Sequence, residues 1–254
     1  MLYFFFLFFF LTNVIYSFEN RIYYGEKVKN FEVVNFMVAI TNYKRVICGG
    51  ALFNTRTVIT AAHCLQDYRS GMIPADEYEV VGGALNYVIL GEEKRVENIT
   101  IHENYGIPWS LSNDVALMII EAPFSGDVLV GRVTLAPKKF PWPSGDRGIV
   151  FGWGRTETRR SSSYLRFVNI TLIPKEECVN IVGNYISKMD DNMECAGSED
   201  GMQDSCSGDS GGPLLHIKTG LMIGIVSFGM RCGLGGVYTK VGPFGEWILE
   251  HSKE

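Results

Sequence analysis

The sequence predicts an all-β chain that ends in a short helix. Its 28 glycines are many for a helical protein and suit a chain with many tight turns. From about residue 21 onward, short apolar or alternating runs are separated by turn residues, which is typical of sandwich and barrel strands. The predicted strands are Val46–Phe53, Thr57–Ala61, Tyr78–Val81, Val115–Ile119, Ile149–Trp153, Leu165–Leu172, Leu221–Phe228 and Gly236–Val241.

Helix signals are sparse. A short helical turn is predicted over Lys175–Ile181, directly after a proline. A second helix is predicted over Phe244–His251, where Pro243 precedes the first residue and the apolar residues recur at helical spacing.

Composition and charge exclude several classes of protein. Of the 254 residues, 46% are hydrophobic and 20% are charged, which excludes a disordered chain. The length fits one large domain or two small ones with a well-buried core. The net charge is −5 and no basic block occurs, so a nucleic-acid partner is not expected.

The first 17 residues are predicted to be a signal peptide. Met1–Leu11 is apolar throughout, but a helix of that length spans only about half of a bilayer core. The alternative is an uncleaved anchor that reaches Phe18. No later stretch is long and apolar enough to cross a membrane, so we expect a secreted, extracellular protein with no membrane partner.

The cysteines are interpreted in the light of secretion. The chain contains six of them, and an even number in an exported protein predicts three disulfides, although many pairings are possible in principle. A metal site would need close pairs such as C-x-x-C, and the closest pair in the sequence is Cys195 and Cys206. We therefore expect no metal. Two N-x-T sequons mark Asn98 and Asn169 as possible glycosylation sites.

Three short segments carry candidate chemistry: Thr60–Cys64, Ser112–Leu117 and Asp204–Pro213. Each alone is ordinary, since Gly, Asp, Ser and Pro dominate turns and a single histidine is usually structural. Together, in this order and in an exported chain, they are far more specific. The sequence resembles the trypsin/chymotrypsin-like serine endopeptidases from about Arg21 to its C-terminus.

The resemblance implies two antiparallel six-stranded β-barrels packed face to face, with the active site in the crevice between them. The N-terminal barrel is expected at about residues 22–125 and the C-terminal barrel at about 126–254. A trypsin-like domain would then occupy residues 22–254, behind a signal peptide at 1–17 and an activation propeptide at 18–21.

The chemistry of the three segments supports the same interpretation. A serine hydroxyl needs a base, and histidine suits that task because its ordinary pKa is near working pH. A carboxylate on the other ring nitrogen fixes the tautomer and stabilises the imidazolium. By resemblance, Ser210 is the nucleophile, His63 the general base and then acid, and Asp114 the orienting carboxylate. The backbone N–H groups of Gly208 and Ser210 are the expected oxyanion-hole donors.

The resemblance also implies activation by cleavage. Cutting after Arg21 would give Ile22 a free ammonium, which in this family folds inward and pairs with the aspartate before the nucleophile, here Asp209. A buried ion pair is stable only as a pair, so cleavage acts as a switch.

The expected specificity is cleavage after Arg or Lys, since the resemblance places Asp204 at the base of the substrate pocket. Ser205 is expected beside it, and the walls are expected at Gly229 and Gly236. Ser227 is expected to hydrogen-bond Asp114.

Two features depart from the family pattern: the loop Cys232–Gly236 is shorter than usual, and just before it Arg231 stands where trypsins usually carry glycine. The side chain of Arg231 either points into solvent or reaches toward Asp204 and competes with a basic substrate. Two further alternatives stay open: a protease of narrow or altered specificity, and a catalytically silent homologue that acts as a binding or regulatory protein.

The remaining expectations also come from the resemblance. The disulfides are expected to join Cys48 to Cys64, Cys178 to Cys195, and Cys206 to Cys232. Ala84 stands where the calcium loop of trypsins has a carboxylate, so no calcium or other cofactor is expected. The expected partners are protein or peptide substrates and proteinaceous serine-protease inhibitors, and we expect a monomer.

Overall fold

The computed structural model describes residues 25–67, 71–89, 91–125, 130–156, 161–198 and 204–254. The predicted signal peptide, the propeptide and the predicted new terminus at Ile22 lie outside these residues. Within the described ranges, no helix is long and apolar enough to span a bilayer.

The first half of the chain forms a closed antiparallel barrel of six strands. Side chains alternate between the two faces of each strand, and the faces that point into the barrel are almost fully buried. The strands of this half are β1 (Glu26–Lys27), β2 (Met37–Asn42), β3 (Arg45–Leu52), β4 (Thr57–Thr60), β5 (Gln66–Asp67), β6 (Gly71–Met72), β7 (Tyr78–Gly82), β8 (Glu92–Ile101) and β9 (Ala116–Ile120). The barrel has the strand order β2-β3-β4-β9-β8-β7.

The second half of the chain forms a second barrel, whose strands are β10 (Arg147–Gly152), β11 (Arg166–Ile173), β12 (Met193–Gly197), β13 (Pro213–His216), β14 (Met222–Phe228) and β15 (Gly236–Lys240). This barrel is also closed, because β11 pairs with both β10 and β12 while β13, β14 and β15 complete the ring. The short strand β1 pairs with β11, so the chain crosses the second barrel before it enters the first. The predicted fold of two six-stranded barrels is confirmed.

The helices are few and short. A 3-10 turn at Lys175–Glu177 leads into α1 (Val179–Val182), within one residue of the predicted helical turn. After a 3-10 turn at Gly242–Phe244, α2 (Gly245–His251) ends close to the C-terminus, as predicted. A further 3-10 turn at Ala62–Leu65 follows β4 and carries His63.

Three disulfides reinforce the loops around the cleft between the barrels. They join Cys48 to Cys64, Cys178 to Cys195, and Cys206 to Cys232, which are the pairs that the resemblance implied. The first ties the His63 turn to β3. The last ties the segment before Ser210 to the chain that follows β14.

The barrels meet closely at two glycines. The N–H of Gly49, in β3, donates to the carbonyl of Ser210 over 2.8 Å. Gly211 has a φ of +77°, and a Cβ there would lie 2.1 Å from Oγ1 of Thr60 and 2.6 Å from the carbonyl of Gly49. Only glycine therefore allows the second barrel to approach the first at this point, and this approach sets the position of Ser210.

We expect Gly211→Ala to destabilise the protein more than Gly220→Ala. Both residues have positive φ, but Gly220 has φ +70° and open space around its missing Cβ. Alanine at Gly220 should cost about 1 kcal/mol from the left-handed conformation alone. At Gly211 the overpacking against the first barrel should add about 1–3 kcal/mol.

Urea unfolding of both variants measures the difference in the free energy of unfolding. Equal losses in the two variants would show that the glycine contact between the barrels is not a constraint.

Candidate active site

The carboxylate of Asp114 organises the site. Asp114 is fully buried just before β9, and its Oδ1 accepts the backbone N–H of His63 over 2.9 Å. Its Oδ2 accepts a hydrogen bond from Nδ1 of His63 over 2.7 Å and one from Oγ of Ser227 over 2.5 Å. Because a carboxylate only accepts, the Nδ1 atom must carry the proton and the Nε2 atom of a neutral ring is bare.

This pairing changes the basicity of His63. Burial opposes the charged ring, but the charge of Asp114 and its hydrogen bond outweigh it, so the pKa of His63 lies above the ordinary 6.5. The imidazolium form is therefore stabilised, as a group that accepts a proton during a reaction requires.

Ser210 lies across the cleft from this pair. It is half-buried on the loop before β13, and it lines the same cavity as His63. Within the described ranges no hydrogen bond involves its hydroxyl, whereas its carbonyl is held by Gly49. Hydrogen bonds to a nucleophile are often long before substrate binds. The structure thus brings the three predicted residues to one crevice, with His63 and Asp114 directly paired.

The loop before Ser210 presents two free N–H groups. Gly208 has a φ of +99°, which favours glycine. The N–H groups of Asp209 and Gly211 donate to the carbonyls of Cys206 and Val226. Those of Gly208 and Ser210 have no acceptor in the part of the chain that the structure describes. This alternation leaves the two predicted oxyanion donors available.

Asp209 is completely buried behind this loop. Its carboxylate accepts the N–H of Gly154 over 2.8 Å and that of Cys206 over 2.9 Å. A Cβ at Gly152 would lie 2.0 Å from Asp209 Oδ1, so the glycine makes room for the side chain. Burial raises the pKa of Asp209 to about 6, although the hydrogen bonds from the two N–H groups act in the opposite direction and lower this pKa.

Asp204 lies at the floor of the cavity, which has a volume of about 330 Å³. The N–H of Ser205 donates to Oδ1 over 2.7 Å, and the N–H of Gly235 donates to Oδ2 over 3.1 Å. Burial raises the pKa of Asp204 to about 7, although these N–H groups lower it. The carboxylate is thus held in place, and no cation of the described residues pairs with it.

Tyr238, a buried residue of β15, lies beside this floor and was not predicted from the sequence. Its hydroxyl lies 3.3 Å from Oγ of Ser205, and burial raises its pKa well above the usual value. The predicted strand that begins at Gly236 was the available signal, since residues two apart in a strand lie on the same face and Tyr238 therefore shares the face of Gly236.

The walls and the mouth complete the cavity. Gly229 and Gly236 line it, and a Cβ at Gly236 would lie 3.6 Å from Oγ of Ser205. Met230 and Arg231 line it as well, and both are exposed. Arg231 makes no ion pair with Asp204, so the structure shows the solvent-facing position of this side chain.

Cys48, His63 and Cys64 are the one group in the described ranges whose donor atoms lie close enough to share a metal ion. Both sulfurs are joined in a disulfide, and thiolates are the form that binds metals. This group therefore does not fit a metal.

The two sequons differ in access. Asn98 is exposed on β8, whereas Asn169 is half-buried on β11 with its side-chain oxygen inaccessible to solvent. The geometry favours Asn98 as the glycan acceptor.

Comparisons with known proteins agree with this arrangement of two barrels. The family profile described as Trypsin matches residues 22–248. Vitamin K-dependent protein C of Oryctolagus cuniculus is 29% identical over 233 residues, which cover 86% of this chain and 49% of that protein. The chain thus spans about half the length of this curated relative. The structure of human heparin binding protein is similar with a TM-score of 0.74 at 27% identity, over 90% of this chain and 97% of the other.

The fold is that of the two-barrel serine proteases, and His63, Asp114 and Ser210 meet in the crevice between the barrels. The chain belongs to the trypsin family, as the profile match over most of its length shows.

We expect the pKa of His63 to fall below 6.5 in Asp114→Asn, because burial then acts without the opposing charge. In Ser210→Ala both partners remain, so the pKa should stay above 6.5. Titration of the ring resonances by NMR measures both values. A His63 that titrates below 6.5 in the unchanged protein would contradict the assigned role of Asp114.

Proposed function

We propose that this chain is a secreted serine endopeptidase that hydrolyses peptide bonds after Arg or Lys through an acyl-enzyme. One observation carries the proposal. His63, which is paired with Asp114, lines the same cavity as Ser210, and the floor of that cavity is the buried carboxylate of Asp204.

The first half of the reaction forms an ester. Ser210 Oγ attacks the scissile carbonyl carbon while Nε2 of His63 takes the hydroxyl proton. The carbonyl oxygen becomes an oxyanion, which accepts hydrogen bonds from the N–H groups of Gly208 and Ser210. The C–N bond then breaks, and His63 returns the proton to the leaving amine.

The second half regenerates the enzyme. Water replaces the amine, gives one proton to His63 and attacks the ester carbon. The C–O bond to Ser210 breaks, and the serine oxygen recovers the proton from His63. Asp114 orients the ring of His63 and stabilises the imidazolium in both halves.

Asp204 supports cleavage after a basic residue. Its carboxylate is buried, no described cation pairs with it, and a substrate guanidinium or ammonium would supply the missing charge. The hydroxyl of Ser205 donates to Asp204 Oδ1 over 3.4 Å, and its oxygen can still accept a hydrogen bond from a lysine ammonium.

Activation by cleavage after Arg21 is part of the proposal, with residues 1–17 as signal peptide, 18–21 as propeptide and 22–254 as the protease domain. Asp209 supports it, because this buried carboxylate lacks a cation in the described chain. Strand β1 supports it as well, since Gly25 is buried where Arg166 donates to its carbonyl. Ile22 is three residues upstream, within about 10 Å of Gly25.

The proposal is tested with peptide amides that end in Arg, Lys, Phe, Leu or Ala. The recombinant chain is assayed before and after cleavage at Arg21, beside a cleaved Ser210→Ala control. We expect turnover of the Arg and Lys amides by the cleaved chain alone. Preference for another side chain would contradict the role of Asp204, and no turnover of any amide would favour the silent homologue.

We expect the KM for Arg amides to rise as the pH falls below about 7, because Asp204 then takes up a proton and loses its charge. In Asp204→Asn, kcat/KM for Arg amides should fall by about 10²-fold or more, and the KM should lose this pH dependence. Steady-state kinetics across this range separates KM from kcat, whose acid limb belongs to His63. A KM that is independent of pH in the unchanged enzyme would contradict the prediction.

A further inference from the structure

The mouth of the cavity carries an exposed cation that has no role in the proposed mechanism. Arg231 follows β14 and lines the same cavity as Ser210 and Asp204. The disulfide between Cys206 and Cys232 ties the adjoining residue to the loop that carries the nucleophile. A fixed backbone therefore holds the guanidinium beside any peptide that occupies the cavity.

Arg231 does not neutralise the carboxylate at the floor. The oxygens of Asp204 are occupied by the N–H groups of Ser205 and Gly235. The raised pKa of Asp204 has the same implication, because a guanidinium in contact with this carboxylate would lower its pKa. In the described ranges the side chain of Arg231 also has no ion pair or hydrogen bond elsewhere, so its charge is available to a ligand.

The charges of the cavity are therefore separated. Among its described lining residues, Asp204 is the one carboxylate and Arg231 the one permanent cation. A peptide that complements both needs a basic side chain for the floor and an acidic side chain for the mouth.

An unpaired backbone edge lies at the end of β14, beside the cavity. Gly229 is exposed there, and neither its N–H nor its carbonyl pairs with another described backbone group. Such an edge can pair with an extended peptide. A peptide paired there would lie beside Met230 and Arg231, which follow Gly229 and line the same cavity.

We propose that Arg231 is a specificity-determining residue that selects peptides with Asp or Glu within the three residues before the basic residue at the cleavage point. This deepens the proposed function and rests on it for the reaction. The charge pair is exposed, so the preference for Asp over Asn should reach at most about fivefold. It should shrink at high ionic strength, where exposed charges are screened.

The test uses internally quenched peptides with Arg at the cleavage point and Asp, Asn or Lys at each of the three preceding positions in turn. The enzymes are the unchanged chain cleaved after Arg21, Arg231→Gln, Arg231→Glu, and Lys139→Gln as a matched loss of an exposed cation that does not line the cavity. The measured quantity is the ratio of kcat/KM between peptides. Affinities of the same peptides for Ser210→Ala, measured by calorimetry, report binding without turnover.

We expect one position to show the order Asp, Asn, Lys in both measurements. Arg231→Gln should remove the preference, Arg231→Glu should invert it, and Lys139→Gln should keep it. No preference for Asp at any position, or a preference that persists in Arg231→Gln, would overturn the proposal. A binding preference without turnover of any peptide would keep the role of Arg231 and reject the proposed hydrolysis.

Discussion

The carboxylate of Asp114 connects the two barrels at the candidate active site by hydrogen bonds to both of them. It is fully buried, and it accepts hydrogen bonds from the backbone and ring of His63 in the first barrel and from Ser227 in the second. A buried charge is stable only when paired and hydrogen-bonded, so these groups must stay together. The same contacts fix the ring tautomer, and the orientation of the barrels then determines where Ser210 lies.

Two further buried carboxylates differ from Asp114 in one respect. Backbone N–H groups hold both Asp204 and Asp209, with the Ser205 hydroxyl as a further donor to Asp204, and neither carboxylate has a described cationic partner. Burial raises their pKa values to about 7 and about 6. Both are therefore poised to bind a cation, and the proposed cations are the substrate side chain and the new terminus at Ile22. In the proposed function, the cost of burying a charge thus serves catalysis at Asp114, specificity at Asp204 and activation at Asp209.

Local pattern predicted much of the fold. The eight predicted strands are all present within two residues, because their alternating or short continuous apolar runs are typical of barrel strands. The pattern did not identify four further barrel strands, β2, β8, β12 and β13, or Tyr238 at the cavity floor. The sequence of β8 is mostly charged and polar, and Val96 is its one buried residue. Barrel closure, disulfide pairing and the buried neighbours of Asp204 depend on residues far apart in sequence, so only the family resemblance supplied them, and only in part.

The most direct test of the Asp114-centred site is the rate at which a fluorophosphonate modifies the chain cleaved after Arg21, measured against pH. The account predicts covalent label on Ser210, at a rate that falls with decreasing pH through a midpoint above 6.5, where His63 becomes protonated. A chain that takes no label on Ser210, or labels at the same rate from about pH 5 to about pH 9, would contradict it.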